Sequence, residues 1–139
     1  AAYAIPLRSS GDVTGSDRIA WHYRVNTPYV PSPLLVGERL YFTKWISPIL
    51  TCLDARTGKV LMDVQRLPGL KSLYASPVAA GGRIYFVSRE GACLVIKEQP
   101  KLAVLATNHL DEGFDASPAV VGRQLFLRGK CHLYCIADE

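Results

Sequence analysis

Zinc-type ligands cluster near the end of the sequence, where Cys131, His132 and Cys135 stand within five positions. Thiolate and imidazole bind Zn²⁺ at about 2.0–2.3 Å, so all three side chains would have to converge on one ion. The segment HLYCIAD, however, has the composition of a strand. In an extended chain, four residues at ~3.3 Å each separate the two sulfurs by roughly 13 Å, and His132 points to the opposite face. We therefore predict neither a metal site nor a disulfide between these cysteines.

Motifs for catalysis are missing from the rest of the sequence. It contains no Gly-rich phosphate loop, no nucleophile elbow and no metalloprotease helix motif. The other two histidines, His22 and His109, lie in strand-like patterns and have no companion at catalytic spacing. We predict no catalytic residue, no metal ligand and no cofactor-binding residue.

Composition favours an ordinary globular domain. The net charge is +4, from 16 Lys or Arg and 12 Asp or Glu that are scattered along the chain, which predicts a mixed surface and no nucleic-acid partner. No apolar run reaches the ~18 residues of a membrane helix, so we expect no membrane span. The four cysteines are interpreted as buried free thiols that act as small hydrophobes. One or two bridges stay open as an alternative if the protein is exported.

The elements that position any functional residue follow from a repeat. Three copies of one pattern begin at Ser32, Ser76 and Ser117, which are 44 and 41 residues apart. Each copy holds a small-residue strand, a turn with Gly, an aromatic and β-branched strand, a polar turn and a third strand. This period is typical of a four-stranded β-propeller blade. Prolines interrupt every window long enough for a good helix, so the predicted fold class is all-β.

The repeat divides the chain into a single module of about three blades. Residues 1–27 supply strands three and four of a partial blade, 28–71 and 72–112 are whole blades, and 113–139 lacks its fourth strand. Propellers usually start at about four blades. We therefore expect a partial propeller, completed by the rest of a longer propeller or by a second copy of the chain. The segment IAWHYRV is the candidate for the missing fourth strand, either within the chain or by crossing to a second copy, where a dimer would hold about six blades.

The segments SPVAAGGRIYFVSREG and LTCLDARTGK resemble the repeats of the pyrroloquinoline-quinone-like β-propeller superfamily. The resemblance covers essentially the whole chain, most clearly residues 28–139. The family includes quinone-dependent alcohol and sugar dehydrogenases, a lipoprotein scaffold of outer-membrane protein assembly, and uncharacterised exported bacterial proteins, the branch that this chain resembles most. The resemblance implies a bacterial protein of the periplasm or a secreted one.

The enzymes of that family carry features that this chain lacks. They hold the quinone under a pair of adjacent cysteines, bind calcium through Glu, Asn and Asp, and place a docking Trp after each Thr-Gly. Here there is no Cys-Cys pair, and Met62 stands at the first Trp position, although Trp21 sits where a fourth-strand docking Trp belongs. The resemblance therefore implies a non-catalytic binding or scaffolding module. The alternatives are a fragment of a quinone-dependent dehydrogenase, with quinone and calcium as cofactors, and a purely structural part of a larger propeller.

The candidate binding surface is the face formed by the loops between second and third strands and by the connections between blades. The loops carry Lys44, Arg89, Arg128 and Lys130 to comparable positions, where a ring of cations would favour an anionic ligand, and Trp45 lies beside the first of them. The connections add one aromatic each. These aromatics are Tyr29, Tyr74 and Phe114. They either contact a protein partner or pack between blades.

Overall fold

The computed structural model describes residues 1–137, and thirteen β-strands and no helix are found in that part of the chain. The final two residues of the predicted last blade lie outside it. The strands are β1 (Ala2–Ala4), β2 (Trp21–Tyr23), β3 (Leu34–Val36), β4 (Arg39–Thr43), β5 (Ile49–Asp54), β6 (Val60–Arg66), β7 (Val78–Ala80), β8 (Arg83–Val87), β9 (Ala92–Lys97), β10 (Val104–His109), β11 (Ala119–Val121), β12 (Gln124–Arg128) and β13 (Leu133–Ala137).

Each group of consecutive strands forms one antiparallel sheet. Sheet I has the order β1-β2, sheet II β3-β4-β5-β6, sheet III β7-β8-β9-β10 and sheet IV β11-β12-β13. This arrangement confirms the predicted all-β class with blades of four antiparallel strands. The domain limits at residues 27, 71 and 112 stay a prediction.

The edge of sheet IV is not closed by the first strands of the same chain. Within residues 1–137, β13 pairs with β12 alone, and β2 pairs with β1. The segment IAWHYRV therefore does not supply a fourth strand to sheet IV within one chain, since the strand partner of β2 in residues 1–137 is β1 and not β13. Exchange of this strand between two copies stays a prediction.

Sheet III is apolar on both faces, and its two faces enter two separate cores. Side chains of one parity, including Ile84 and Phe86, pack with sheet II. Those of the other parity, including Val87 and Val95, pack with sheet IV and Phe114. Alternate residues of a strand point to opposite faces, so continuous apolar runs such as RIYFV and CLVIK fill both interfaces at once.

The cysteines divide into two pairs. Cys52 and Cys93 are buried in the two cores, and burial raises the pKa of both thiols, so they remain neutral and apolar as predicted. Cys131 and Cys135 are exposed, and the prediction that they are buried is wrong. Cys131 lies in a loop, and Cys135 points to a face of sheet IV that no other sheet of residues 1–137 covers.

That uncovered face of sheet IV is largely apolar. Cys135 pairs with Phe126, which in turn pairs with Ala119, so side chains of this parity share the face. On the same face Val121 is 61% exposed and Leu133 is 69% exposed. The opposite face carries Leu127, which is buried against sheet III. Sheet IV thus has the two apolar faces of a propeller blade, with only one of them packed in this part of the chain.

The serines that open each repeat connect neighbouring sheets. The amide of Ser32 donates to Oγ of Ser76 at 2.9 Å, and the amide of Ser76 donates to Oγ of Ser117 at 2.9 Å. Ser76, the middle serine, therefore accepts a hydrogen bond through its side chain and donates one through its backbone, whereas in these two bonds Ser32 only donates and Ser117 only accepts. Each bond fixes the first strand of one sheet relative to the first strand of the next sheet. This alignment explains the recurrence of a small hydroxyl residue at the start of each repeat.

The Ser76→Ala variant is expected to lower the free energy of unfolding by about 0.5–1.5 kcal/mol, because the Ser32 amide loses its acceptor. Urea unfolding at neutral pH measures the change. Ser32→Ala is the matched control, because the Ser32 hydroxyl has no hydrogen-bond partner within residues 1–137. An equal loss in both variants would show that the bond between sheets contributes nothing.

The turn DARTGK after β5 joins sheet I to sheet II. Oδ1 of Asp54 accepts hydrogen bonds from the amide and the hydroxyl of Thr57, both at 2.7 Å. Gly58 then takes a φ of +71°. The Trp21 ring lies on this turn, where its Nε1 donates to the carbonyl of Ala55 at 2.9 Å. Trp21 therefore docks on this turn, and the Thr-Gly pattern supplies the turn's hydrogen bonds and its positive φ.

Gly58→Ala is expected to destabilise the protein more than Gly82→Ala does. Both glycines have a φ of +71°, so each substitution carries a similar backbone strain of about 1 kcal/mol. A Cβ at Gly58 would also lie 2.7 Å from Cγ of Trp21, whereas a Cβ at Gly82 would meet nothing within 4 Å. Chemical denaturation of the two variants isolates the docking contact. Equal losses would contradict a close fit between Trp21 and the turn.

Candidate binding face

One backbone hydrogen bond identifies equivalent positions in the loops between second and third strands. The donor and acceptor pairs are Lys44 to Ile49 at 2.9 Å, Ser88 to Ala92 at 2.8 Å, and Gly129 to His132 at 2.9 Å. The residue that follows each donor occupies one repeated position, and these residues are Trp45, Arg89 and Lys130. Of the four predicted cations, Arg89 and Lys130 therefore share this position, whereas Lys44 and Arg128 do not. Lys44 is the counterpart of Ser88 and Gly129, and Arg128 is the counterpart of Val87.

The loops and the connections between sheets lie against each other, as the sequence predicted. The amide of Trp45 donates to the carbonyl of Thr27, and the amide of Arg89 donates to the carbonyl of Ser72, both at 3.1 Å. In the next connection, the amide of Phe114 donates to the carbonyl of Ser88 at 3.1 Å. Each connection is thus tied by its backbone to a neighbouring loop, and together they form one rigid face at this end of the sheets.

Arg89 is held in place by two partners from the adjoining connections. Its guanidinium lies 4.1 Å from the centre of the Tyr74 ring, and its Nε is 2.7 Å from Oδ1 of Asp115. Cation–π stacking and an exposed ion pair each contribute modestly. The charge of Arg89 is balanced by Asp115, so this residue ties loops together instead of presenting an open cation to an anionic ligand.

Glu112 lies in the connection LDEGFDA, and its side chain reaches the neighbouring loop of this face. Its side chain is 9% exposed. Its oxygens accept hydrogen bonds from the Cys131 amide at 3.0 Å, the His132 amide at 3.3 Å and Nδ1 of His132 at 3.0 Å. Desolvation acts to raise the pKa of Glu112, but these hydrogen bonds outweigh it and the pKa is lowered. A Cβ at Gly129 would collide with the Glu112 carboxylate. The glycine beside Lys130 was therefore the one feature of the sequence that could have indicated a side chain packed against this loop.

The three predicted aromatics have different surroundings. Phe114 is fully buried and meets Tyr134 edge-on, with ring centres 6.0 Å apart. The interpretation that it packs between blades is therefore the correct one, and Phe114 is removed from the binding surface. Tyr74 is half-buried under Arg89, whereas Tyr29 is exposed and lies beside Trp45.

The remaining predicted residues supply charge to the surface. Lys44, Arg128 and Lys130 are exposed.

Within residues 1–137, no group of three or more His, Cys, Asp or Glu side chains is arranged to hold a metal ion. The same part of the chain contains no helix that is long and apolar enough to cross a bilayer. What the face offers chemically is stacking by aromatic rings and hydrogen bonding by cations.

The fold is that of a β-propeller, in which four-stranded sheets pack face to face around an axis. Among solved structures, BamB from Moraxella catarrhalis is similar to this chain, with a TM-score of 0.68 and 21% sequence identity. The similarity covers 88% of this chain and 37% of that one, so the chain spans well under half the length of the protein it matches. No protein-family model matches the sequence, and no curated protein matches it.

Glu112→Gln is expected to destabilise the protein at neutral pH and to have less effect in acid. The folded-state pKa of Glu112 lies below its ordinary value of 4.5. Its stabilising contribution is therefore complete above that value and is lost as the pH falls through the folded-state pKa. Urea unfolding at pH 7 and below about pH 4 measures the difference between wild type and variant. Asp111→Asn, at a fully exposed neighbour, is the control, and a pH-independent Glu112→Gln effect would refute this assignment.

Proposed function

We propose that this chain is a section of a non-catalytic β-propeller that binds or scaffolds other molecules in a bacterial envelope or secreted protein. We further propose that it belongs to the quinone-type repeat superfamily. The observation that carries the proposal is the face where loops and connections interlock, because rigid scaffolds with variable loops are a common way to present a binding surface. The propeller fold shared with BamB supports it at the level of architecture.

The binding role is tested by site-specific photo-crosslinking in cells. A crosslinker at Lys130, which is exposed on the loop face, is expected to capture a defined partner protein. A crosslinker at Gln65, which is exposed on the outer strand β6, is the matched control. Equal capture from both positions, or none from Lys130, would count against a binding role for the loop face.

We also propose that the uncovered face of sheet IV packs on another propeller sheet, either from the rest of a longer propeller or from a second copy of this chain. Its exposed Val121 and Leu133 continue the apolar packing already present between sheets II, III and IV. For the second-copy alternative, sedimentation equilibrium of the 139-residue chain should give a concentration-dependent dimer that Leu133→Asp returns to monomer. A monomer at every concentration would leave the longer propeller as the surviving alternative.

The second candidate function is a fragment of a quinone-dependent alcohol or sugar dehydrogenase. The observation that favours it is the docking of Trp21 on the turn at Ala55 and Gly58, a feature that the resemblance ties to the enzymes. A binding module predicts no change in melting temperature with pyrroloquinoline quinone and Ca²⁺, and no dye-linked alcohol or sugar oxidation. A saturable thermal shift with dye reduction would instead establish the dehydrogenase.

A further inference from the structure

Two large aromatic side chains lie side by side in the open on the loop face. Tyr29 is 78% exposed and Trp45 is 64% exposed. Their ring centres are 6.1 Å apart and their planes are inclined by 41°. Scattered single apolar residues are normal on a surface, but adjacent aromatic rings that remain in water together mark a contact site.

The backbone holds this pair rigidly and at a cost. Trp45 has a φ of +50°, a left-handed conformation that bulky side chains rarely adopt. Its amide donates to the carbonyl of Thr27, and a parallel bridge joins it to Pro28. Strain of this kind persists where the surrounding structure enforces it, and it concentrates at functional sites. Here it turns the indole outward beside Tyr29.

In sheet III, the residue equivalent to Trp45 covers the neighbouring tyrosine instead of leaving it exposed. Arg89 is the counterpart of Trp45, and it lies over the Tyr74 ring while its Nε bonds Asp115. The repeat therefore does not require an open aromatic pair, because sheet III covers its tyrosine with its own side chain. In sheet II a tryptophan replaces the arginine, and both rings stay available to an external ligand.

We propose that Tyr29 and Trp45 form a stacking platform for the pyranose rings of a polysaccharide. This inference rests on the proposed function, since it takes the loop face as the binding surface. The C–H bonds on the flat face of a sugar ring carry partial positive charge, which suits the negative faces of the aromatic rings, and dispersion adds to the contact. Two neighbouring rings on an open surface match two successive sugar units of an extended chain.

The surroundings of the platform favour a sugar over a protein. A stable protein interface buries about 800 Å² on each partner around an apolar centre, whereas the two rings are flanked along the chain by one exposed apolar side chain, Val30, and by polar residues. Lys44 is exposed next to Trp45, and Asn26 lies beside Thr27, the residue that accepts the Trp45 amide. An ammonium and an amide are the donors that would reach the hydroxyls or carboxylates at the edge of a sugar ring.

The test is native affinity electrophoresis of the 139-residue chain through gels containing xylan, hydroxyethyl cellulose or polygalacturonate. Comparison with variants separates stacking from attraction by the net charge of +4, because the variants keep that charge. Trp45→Gly is the decisive change, since glycine accepts a positive φ and the loop can keep its backbone conformation without the indole. We expect at least a tenfold loss of affinity in Trp45→Gly and Tyr29→Ala for a polysaccharide that retards wild type.

Two further variants complete the design. Trp45→Phe should restore part of the affinity, and Tyr3→Ala, which removes an exposed tyrosine from β1, should leave it unchanged. No retardation of wild type beyond that of Trp45→Gly in any of the three gels would overturn the platform, as would capture of a protein by a crosslinker at Trp45. Failure here leaves crosslinking from Lys130 unaffected, so it is distinguishable from failure of the proposed binding role.

Discussion

Sheet III is apolar on both faces, and this constraint governs how the neighbouring sheets are arranged around it. A strand that is apolar at successive positions has two apolar faces, and neither can remain in water without exposing a large hydrophobic area. Sheet III satisfies the requirement completely, because Ile84 and Phe86 are buried against sheet II while Val87 and Val95 are buried against sheet IV. Sheet IV satisfies it on one side only, which is why its β13 is mostly exposed.

Apolar packing brings sheets together, but polar bonds decide how they are aligned. A hydrophobic interface between two sheets tolerates sliding, since the attraction depends on area and has no direction. The serine bonds from Ser32 to Ser76 and from Ser76 to Ser117 act at the inner strands. Trp21 acts at the turn after β5, and Glu112 fixes the loop of sheet IV from the preceding connection. Directional bonds therefore sit at the ends of strands, where packing alone leaves most freedom.

The sequence predicted the strands well because their signals are local. Period-two apolar runs, Gly turns and Ser-Pro openings recur in each copy, and the structure confirms the all-β class and the four-stranded sheets. The loop positions were harder, because the loop TKWISP is longer than SREG or RGK. Alignment by residue type paired Lys44 with Arg89, whereas the backbone pairs Trp45 with Arg89. The burial of Phe114 and the hydrogen bonds of Glu112 depend on contacts between neighbouring sheets, which no single repeat encodes.

The hydrogen bonds between sheets separate the residues that hold the fold together from those that remain open to a ligand. The Ser-Pro opening, the Thr-Gly turn and the apolar strands are all used to join sheets, so none of them is available to a ligand. At the repeated loop position, Arg89 is used in the same way, through Tyr74 and Asp115. Trp45 departs from that pattern, because its side chain points to solvent despite an unfavourable φ. The backbone bond from Trp45 to Thr27 does not need an indole, so an exposed tryptophan at a strained φ needs a reason outside the fold, and contact with a ligand supplies one.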